Sequence, residues 1–292
     1  MEYYENIHCV EGDFMGDINL YKPEFNLERD TFLGTKEVKT KKLFYLSKMA
    51  QDEQWNYSGE NENKILYNYL CYTYDRLKQE DSIKRNEERY KILVCDNDEY
   101  MCFNTGLLTR SNGTDIYAYF GKNTSAYARS GQNWFLIGFY QKTDSEMSKF
   151  KYYPEIADYF TNPADFIYDK KLQLYIDYDH IIDDNYERFE KLGLSDKHII
   201  KALLENAVKT ITEKVKRNYK LAIPQFYTDK GTMQSKIQLL LPLFLFGREY
   251  ADLALVVDKS EYRYVGKTIL TLEWAYVNSR RIVRPDAEWL KI

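Results

Sequence analysis

Tyr90-Lys91-Ile92-Leu93-Val94-Cys95-Asp96-Asn97-Asp98-Glu99-Tyr100-Met101-Cys102-Phe103-Asn104 decides the fold class. Two short apolar runs, at 91–95 and 100–104, flank the turn-forming Asp96-Asn97-Asp98. A third run, at 115–120, follows the turn-forming Ser111-Asn112-Gly113. Runs of this length separated by Asn, Asp and Gly give an antiparallel meander, and residues 133–140 supply a further strand.

Upstream, Ile65, Leu66, Tyr69, Leu70, Thr73 and Leu77 recur at helical spacing, which predicts an amphipathic helix over 63–80. Downstream, Ser195 is placed to cap a long helix whose apolar stripe is Ile199, Ile200, Leu203, Leu204, Ala207, Val208, Ile211 and Val215. Residues 238–246, 251–257 and 264–270 read as buried strands. A last helix runs from about 272 to 282 and ends before Pro285, because a residue preceding proline disfavours helical geometry. No internal repeat and no Pro/Gly/Ser linker divides these elements. The expectation is an α+β fold, a mostly antiparallel sheet with packed helices, in one domain over 43–292 preceded by an N-terminal extension over 1–42.

The chain has 292 residues, 44% hydrophobic and 29% charged, which excludes disorder and fibrous repeats. Cys9, Cys71, Cys95 and Cys102 lack paired metal-ligand spacing and disulfide density, so they read as reduced and mostly buried. Met1-Glu2-Tyr3-Tyr4-Glu5 shows no cationic segment followed by an apolar one, so a cytoplasmic location is expected. The apolar run 237–246 falls short of the about 20 residues that span a bilayer and contains Pro242, so no membrane partner is expected. Net charge is −4, unevenly spread. Residues 214–292 carry 14 Lys and Arg against 8 Asp and Glu, leaving 27 against 37 upstream. That asymmetry suits an anionic ligand toward the C-terminal part and argues against a polybasic, sequence-blind binder.

Arg217-Asn218-Tyr219-Lys220, followed by Gln225, gathers cations, amides and a ring where the long helix gives way to a strand expected from Lys220. Guanidinium forks onto phosphate oxygens and a tyrosine ring stacks on a base, so the cluster is a candidate phosphate and nucleotide site. The alternative is a helix end whose cations complement the dipole. On the last helix Tyr276, Arg280 and Arg284 stand at i, i+4 and i+8, suited either to phosphate or to an ion-pair knot that closes the C-terminal region with Asp286 or Glu288. Arg281 and Asn278 lie on an adjacent face. Asn104, in Phe103-Asn104-Thr105-Gly106-Leu107, offers an amide at a strand-to-turn junction. His180 and Asp184, one helical turn apart, are the acid–base candidates and suggest a divalent metal; the alternative is a solvated acidic helix start. Gly266-Lys267-Thr268 is not a phosphate-binding loop, because Glu261 occupies the position that needs the first glycine.

Several ordered blocks carry a resemblance: Leu46 and Met49-Ala50 with Trp55, Phe103 to Leu107, Asp179-His180-Ile181 with Arg188-Phe189, Arg217 to Lys220 with Pro224-Gln225, Ile237 to Pro242, and Arg284-Pro285 with Glu288-Trp289-Leu290. Over roughly 43–290 the chain resembles an uncharacterised bacterial domain-of-unknown-function family whose members are often fused to cold-shock and LOTUS-type (OST-HTH) RNA-binding domains. The resemblance implies an RNA or nucleotide setting and brings no established reaction. The functional expectation is therefore an RNA- or nucleotide-binding protein that processes a phosphate-containing RNA end or nucleotide. The alternatives are a non-catalytic RNA-binding or regulatory module and a toxin or phage-defence effector.

Overall fold

The computed structural model describes residues 25–57, 62–85, 89–229, 235–285 and 287–290. His8, Cys9 and Asp286 therefore lie outside the described residues, as does most of the expected N-terminal extension. Two five-stranded sheets carry the architecture. The first contains β1 (Thr31–Phe32), β2 (Ile92–Val94), β3 (Tyr100–Leu108), β4 (Asp115–Lys122) and β5 (Trp134–Gln141), in the order β1-β5-β4-β3-β2. The second contains β6 (Gln173–Tyr175), β7 (Ile223–Thr228), β8 (Ser235–Leu243), β9 (Leu253–Lys259) and β10 (Arg263–Leu270), in the order β6-β10-β9-β8-β7.

The two orders are the same plan executed twice. Each sheet is a four-stranded antiparallel meander whose last strand accepts a short parallel strand from upstream, β1 on β5 and β6 on β10. Helices occupy the crossover in both: α2 (Lys36–Met49) and α3 (Lys64–Ile83) in the first, α4 (Tyr178–Asp184), α5 (Tyr186–Glu190) and α6 (Lys197–Arg217) in the second. A parallel pair cannot be joined by a tight turn, so a crossover of this kind is obligatory. α1 (Asn26–Asp30) precedes β1, and α7 (Leu272–Arg280) follows the second meander. The α+β class holds, with two mixed sheets in place of one mostly antiparallel sheet.

Strand alternation sorts the apolar residues into layers. Met101, Phe103, Ile116 and Phe120 of the first sheet share one core with Leu240, Ala254 and Val256 of the second. α3 enters this core with Ile65, Leu66, Leu70 and Leu77, and α7 with Ala275 and Val277. The other face of the second sheet presents Leu239, Leu241, Leu243, Leu255 and Val257 to Ile200, Leu204 and Ile211 of α6. On the first sheet's outer face Cys102, Tyr117 and Tyr119 pack with Met147 and Phe150. Cys71, Cys95 and Cys102 are free and buried.

Local chemistry corrects several boundaries. α6 is capped by Asp196, whose carboxylate accepts from the amides of His198 at 2.8 Å and Ile199 at 3.1 Å, while the carbonyl of Ser195 accepts from Tyr186 Oη. A carboxylate at the positive end of a helix serves two open amides better than a hydroxyl does. Ile199 is exposed rather than part of the buried stripe. Each fully buried aliphatic contributes about 1.5–3 kcal/mol against about 1 kcal/mol for the cap, so the stripe holds the helix and the cap only sets its start. Residues 219–221 form a 3-10 turn, with Asn218 Oδ1 accepting from the Lys220 amide, and the strand expected from Lys220 starts at Ile223. Residues 25–42, read as extension, form α1, β1 and half of α2, and Phe25 and Leu27 are buried in the shared core. Gly266-Lys267-Thr268 is a bulge in β10, where a Cβ on Gly266 would stand 2.9 Å from Ile176. Among the described residues no helix is long and apolar enough to cross a membrane.

Candidate functional site

The linker from α2 to α3 is laid along β3: Ala50 bridges to Thr109, and the Gln51 amide donates to Leu108 O at 2.9 Å. This brings Glu53 and Trp55 against α3 and α7, around a cavity of about 210 Å³. α3 supplies Tyr69 and Thr73, α7 and the residues after it supply Arg280, Arg281 and Arg284, and the segment after the first meander supplies Ile156, Ala157 and Tyr159.

The β3 wall is built by Asn104-Thr105-Gly106. The register of β3 on β4 slips between Asn104 and Leu108, Gly106 takes a φ of 73°, and the Gly106 amide donates to Asn104 Oδ1 at 2.9 Å. This bulge turns the Thr105 carbonyl toward α3, where it accepts from Tyr69 Oη at 2.9 Å. A Cβ on Gly106 would meet that same oxygen at 2.7 Å, so glycine serves both the backbone angle and the close approach. The facing wall is stapled to α3 and to the residue before β2: Arg76 Nε donates to Asp158 O at 2.6 Å, Glu80 Oε1 accepts from the Asp158 amide at 2.8 Å, and Lys91 Nζ donates to Ile156 O at 2.9 Å.

Arg280 is 9% exposed and forms an ion pair with Glu53. Tyr276 Oη donates to the same Glu53 oxygen at 2.9 Å. The Arg280 guanidinium lies 4.5 Å from the Tyr69 ring and 5.3 Å from that of Trp55. Burial alone would lower its pKa, but Tyr69 and Glu53 outweigh it and leave Arg280 more firmly cationic than in water. Burial, reinforced by the Glu53 carboxylate, holds Tyr276 as a phenol, and burial does the same for Tyr159. Arg281 lies over Tyr72 and donates to Asn278 Oδ1 at 2.8 Å, and Arg284 donates to Asp52 O at 2.9 Å. On α3, burial pushes the Asp75 carboxyl up to about 6, against the opposing pull of the Asn26 amide, Arg29 and Arg281.

Among the described residues seven buried side-chain polar atoms have no hydrogen-bond partner, and four belong to residues lining this cavity: Trp55 Nε1, Thr73 Oγ1, Tyr159 Oη and Arg281 Nε. Tyr159 feels the nearby Thr73 hydroxyl, but the two do not complete a hydrogen bond. Buried polar groups are normally satisfied, so four orphans on residues that line one cavity single it out as the candidate site.

A family model described as a domain of unknown function, DUF3825, matches residues 46–289. The chain belongs to the DUF3825 family. No curated protein and no solved structure matches the chain. The DUF3825 match spans every wall of the cavity, from Ala50 to Arg284.

Within this DUF3825 chain the sequence-derived candidates separate. Arg280 and Arg284 line the cavity, and Asn104 stands behind it, holding Gly106 and donating to Pro154 O at 3.3 Å. Arg280 does form an ion pair, but its acid is Glu53 and not the expected Asp286 or Glu288, of which Asp286 lies outside the described residues. Arg217, Asn218, Tyr219 and Lys220 are exposed at the end of α6 and do not line the cavity, and Arg217 Nη1 sits 2.9 Å from Glu213. Gln225 is buried in the second sheet, where it donates to Gln238 at 2.7 Å and Gln238 donates to Asp258 at 2.7 Å. His180 Nε2 is 3.2 Å from Asp184 on the exposed side of α4, outside the cavity. Among the described residues no group of three or more His, Cys, Asp or Glu is placed to hold a metal. Glu53, Tyr69, Thr73 and Tyr159 were not singled out as candidates. Their one sequence signal is indirect, since Trp55 and Gly106 belong to blocks that carry the family resemblance.

Proposed function

We propose that this cytoplasmic protein binds the phosphate of an RNA end or of a nucleotide in the cavity between α3 and α7. The carrying observation is a cavity lined by three arginines, Arg280, Arg281 and Arg284, in which two lining residues, Trp55 and Arg281, also carry buried N–H donors without a partner. Such a lining calls for a ligand with several acceptor oxygens and negative charge. Low local dielectric strengthens each of those contacts. Phosphate satisfies more of these donors than a carboxylate does. The RNA or nucleotide setting draws support from the resemblance to a family whose members are often fused to cold-shock and LOTUS-type domains.

Binding alone is the reading that the acid–base groups favour. Glu53 already accepts from Arg280 and Tyr276, and His180 and Asp184 stand elsewhere, so the described lining supplies no unengaged carboxylate for proton transfer. Processing of the bound phosphate ester is the second reading, and turnover with Mg²⁺ or Mn²⁺ that disappears in Arg281→Met would establish it. The binding test is isothermal titration of the full chain with inorganic phosphate and with AMP. The expected result is saturable binding, weakened about tenfold by Arg281→Met through loss of a charge-assisted contact and unchanged by Arg217→Ala. Absence of binding, or equal loss in both variants, would refute the assignment.

A further inference from the structure

The cavity changes character at its mouth. Its depth holds Arg280 and the buried polar groups, whereas three lining residues are exposed aliphatics: Leu108 at 40%, Ile156 at 54% and Val283 at 53%. They come from three separate segments, the end of β3, the stapled segment and the residues beyond α7, so their meeting at one opening is a property of the fold. From this rim we infer that the base of a terminal nucleotide packs at the mouth while its phosphate enters the depth, and that the site takes all four bases alike. The inference rests on the phosphate reading above.

Size supports the division. At about 210 Å³ the cavity is smaller than the roughly 300–1,000 Å³ that encloses whole small-molecule ligands, so part of a nucleotide must remain outside the enclosed space. The rim offers that part an apolar surface. A base has two flat faces of low polarity, and covering one against aliphatic side chains removes both surfaces from water. Strong selection among bases needs buried polar groups that go unpaired with the wrong partner. The polar side chains at the mouth, Gln51 and Arg284, are exposed, and Arg284 is tied to Asp52 O. Neither is a fixed, desolvated reader of a base edge.

The test is titration of the full chain with inorganic phosphate, ribose 5-phosphate and the four nucleoside monophosphates, for the unaltered protein and for the Ile156→Ser, Val283→Ser double variant. Both positions are exposed, so the variant folds, which its circular dichroism checks. The expected result is a nucleotide advantage over ribose 5-phosphate of about tenfold, within about threefold for all four bases. The double variant abolishes that advantage and leaves phosphate and ribose 5-phosphate binding unchanged. A nucleotide advantage that survives the double variant, or one confined to a single base, overturns the inference. Phosphate binding without any nucleotide advantage overturns it alone, whereas failure of every probe, phosphate included, overturns the phosphate reading and this inference together.

Discussion

The first and second sheets share one strand order, yet they treat buried polarity in opposite ways. Around the second sheet polar groups mostly answer one another: Arg188 donates to Asn185 Oδ1 and to Ile269 O, Asn185 donates to Ile181 O and accepts from Thr268, and Gln225, Gln238 and Asp258 form a row across three strands. Around the first sheet and α7, polar groups converge on an opening and several remain unanswered. The same topology therefore makes a closed layer in one case and a wall of an open cavity in the other. What differs is the extra helix: α7 packs on the second sheet and on α3, and together with the residues after it brings three arginines to the cavity.

The sharpest way to break this comparison is to remove the charge that α7 contributes. Arg280→Met leaves the Glu53 carboxylate buried with Tyr276 as its remaining hydrogen-bond partner and is expected to cost about 3–5 kcal/mol in urea unfolding. Adding Glu53→Gln should recover most of that loss, because the penalty belongs to the stranded charge; a double variant as unstable as the single would show instead that Arg280 acts through packing.

A smaller effect is expected at Asp75. Its carboxyl titrates at about 6 in the fold against an ordinary 3.8, so the folded chain binds the proton more tightly. Its contribution to stability is complete below the lower value and is lost as pH rises through about 6. Asp75→Asn, which keeps an acceptor for the Asn26 amide, should therefore be more stable than the unaltered protein at pH 7 by roughly 1–3 kcal/mol, with the difference closing near pH 4. A difference independent of pH would rule out protonation as its cause.

The least effect is expected from the closed side. Arg188→Met strips a hydrogen bond from Asn185 and one from the Ile269 carbonyl, which should cost about 1–2 kcal/mol in the same unfolding measurement. Phosphate affinity should not move with it. If it did, the two sheets would be coupled functionally and their contrast would dissolve.

Most elements were legible because their signals are local. The stripe from Ile200 to Val215 and the turns at Asp96-Asn97-Asp98 and Ser111-Asn112-Gly113 need no knowledge of distant chain. Arg280 and Arg284 were legible for the same reason, standing at i and i+4 in the sequence, although α7 ends at Arg280 and Arg284 lies beyond it. The repeated strand order was invisible, since two meanders with unrelated side chains leave no sequence period. The cluster at Arg217 misled because crowding along the chain is not convergence in space: its groups fan out at a helix end, each meeting water. Glu53 and Tyr159 escaped notice because their partners lie far off in sequence and nothing in their immediate neighbours announces them.

The parallel edge strands fix the order in which a growing chain can finish its parts. β1 must wait for β5, about a hundred residues later, and β6 for β10, so each sheet's first-made strand docks onto its last-made one. Glu53 waits longer still, since Arg280 is 227 positions downstream. Contacts of such separation form late, after the local ones have been made. During synthesis this cavity is therefore assembled last, and a chain arrested before α7 would carry both sheets without it.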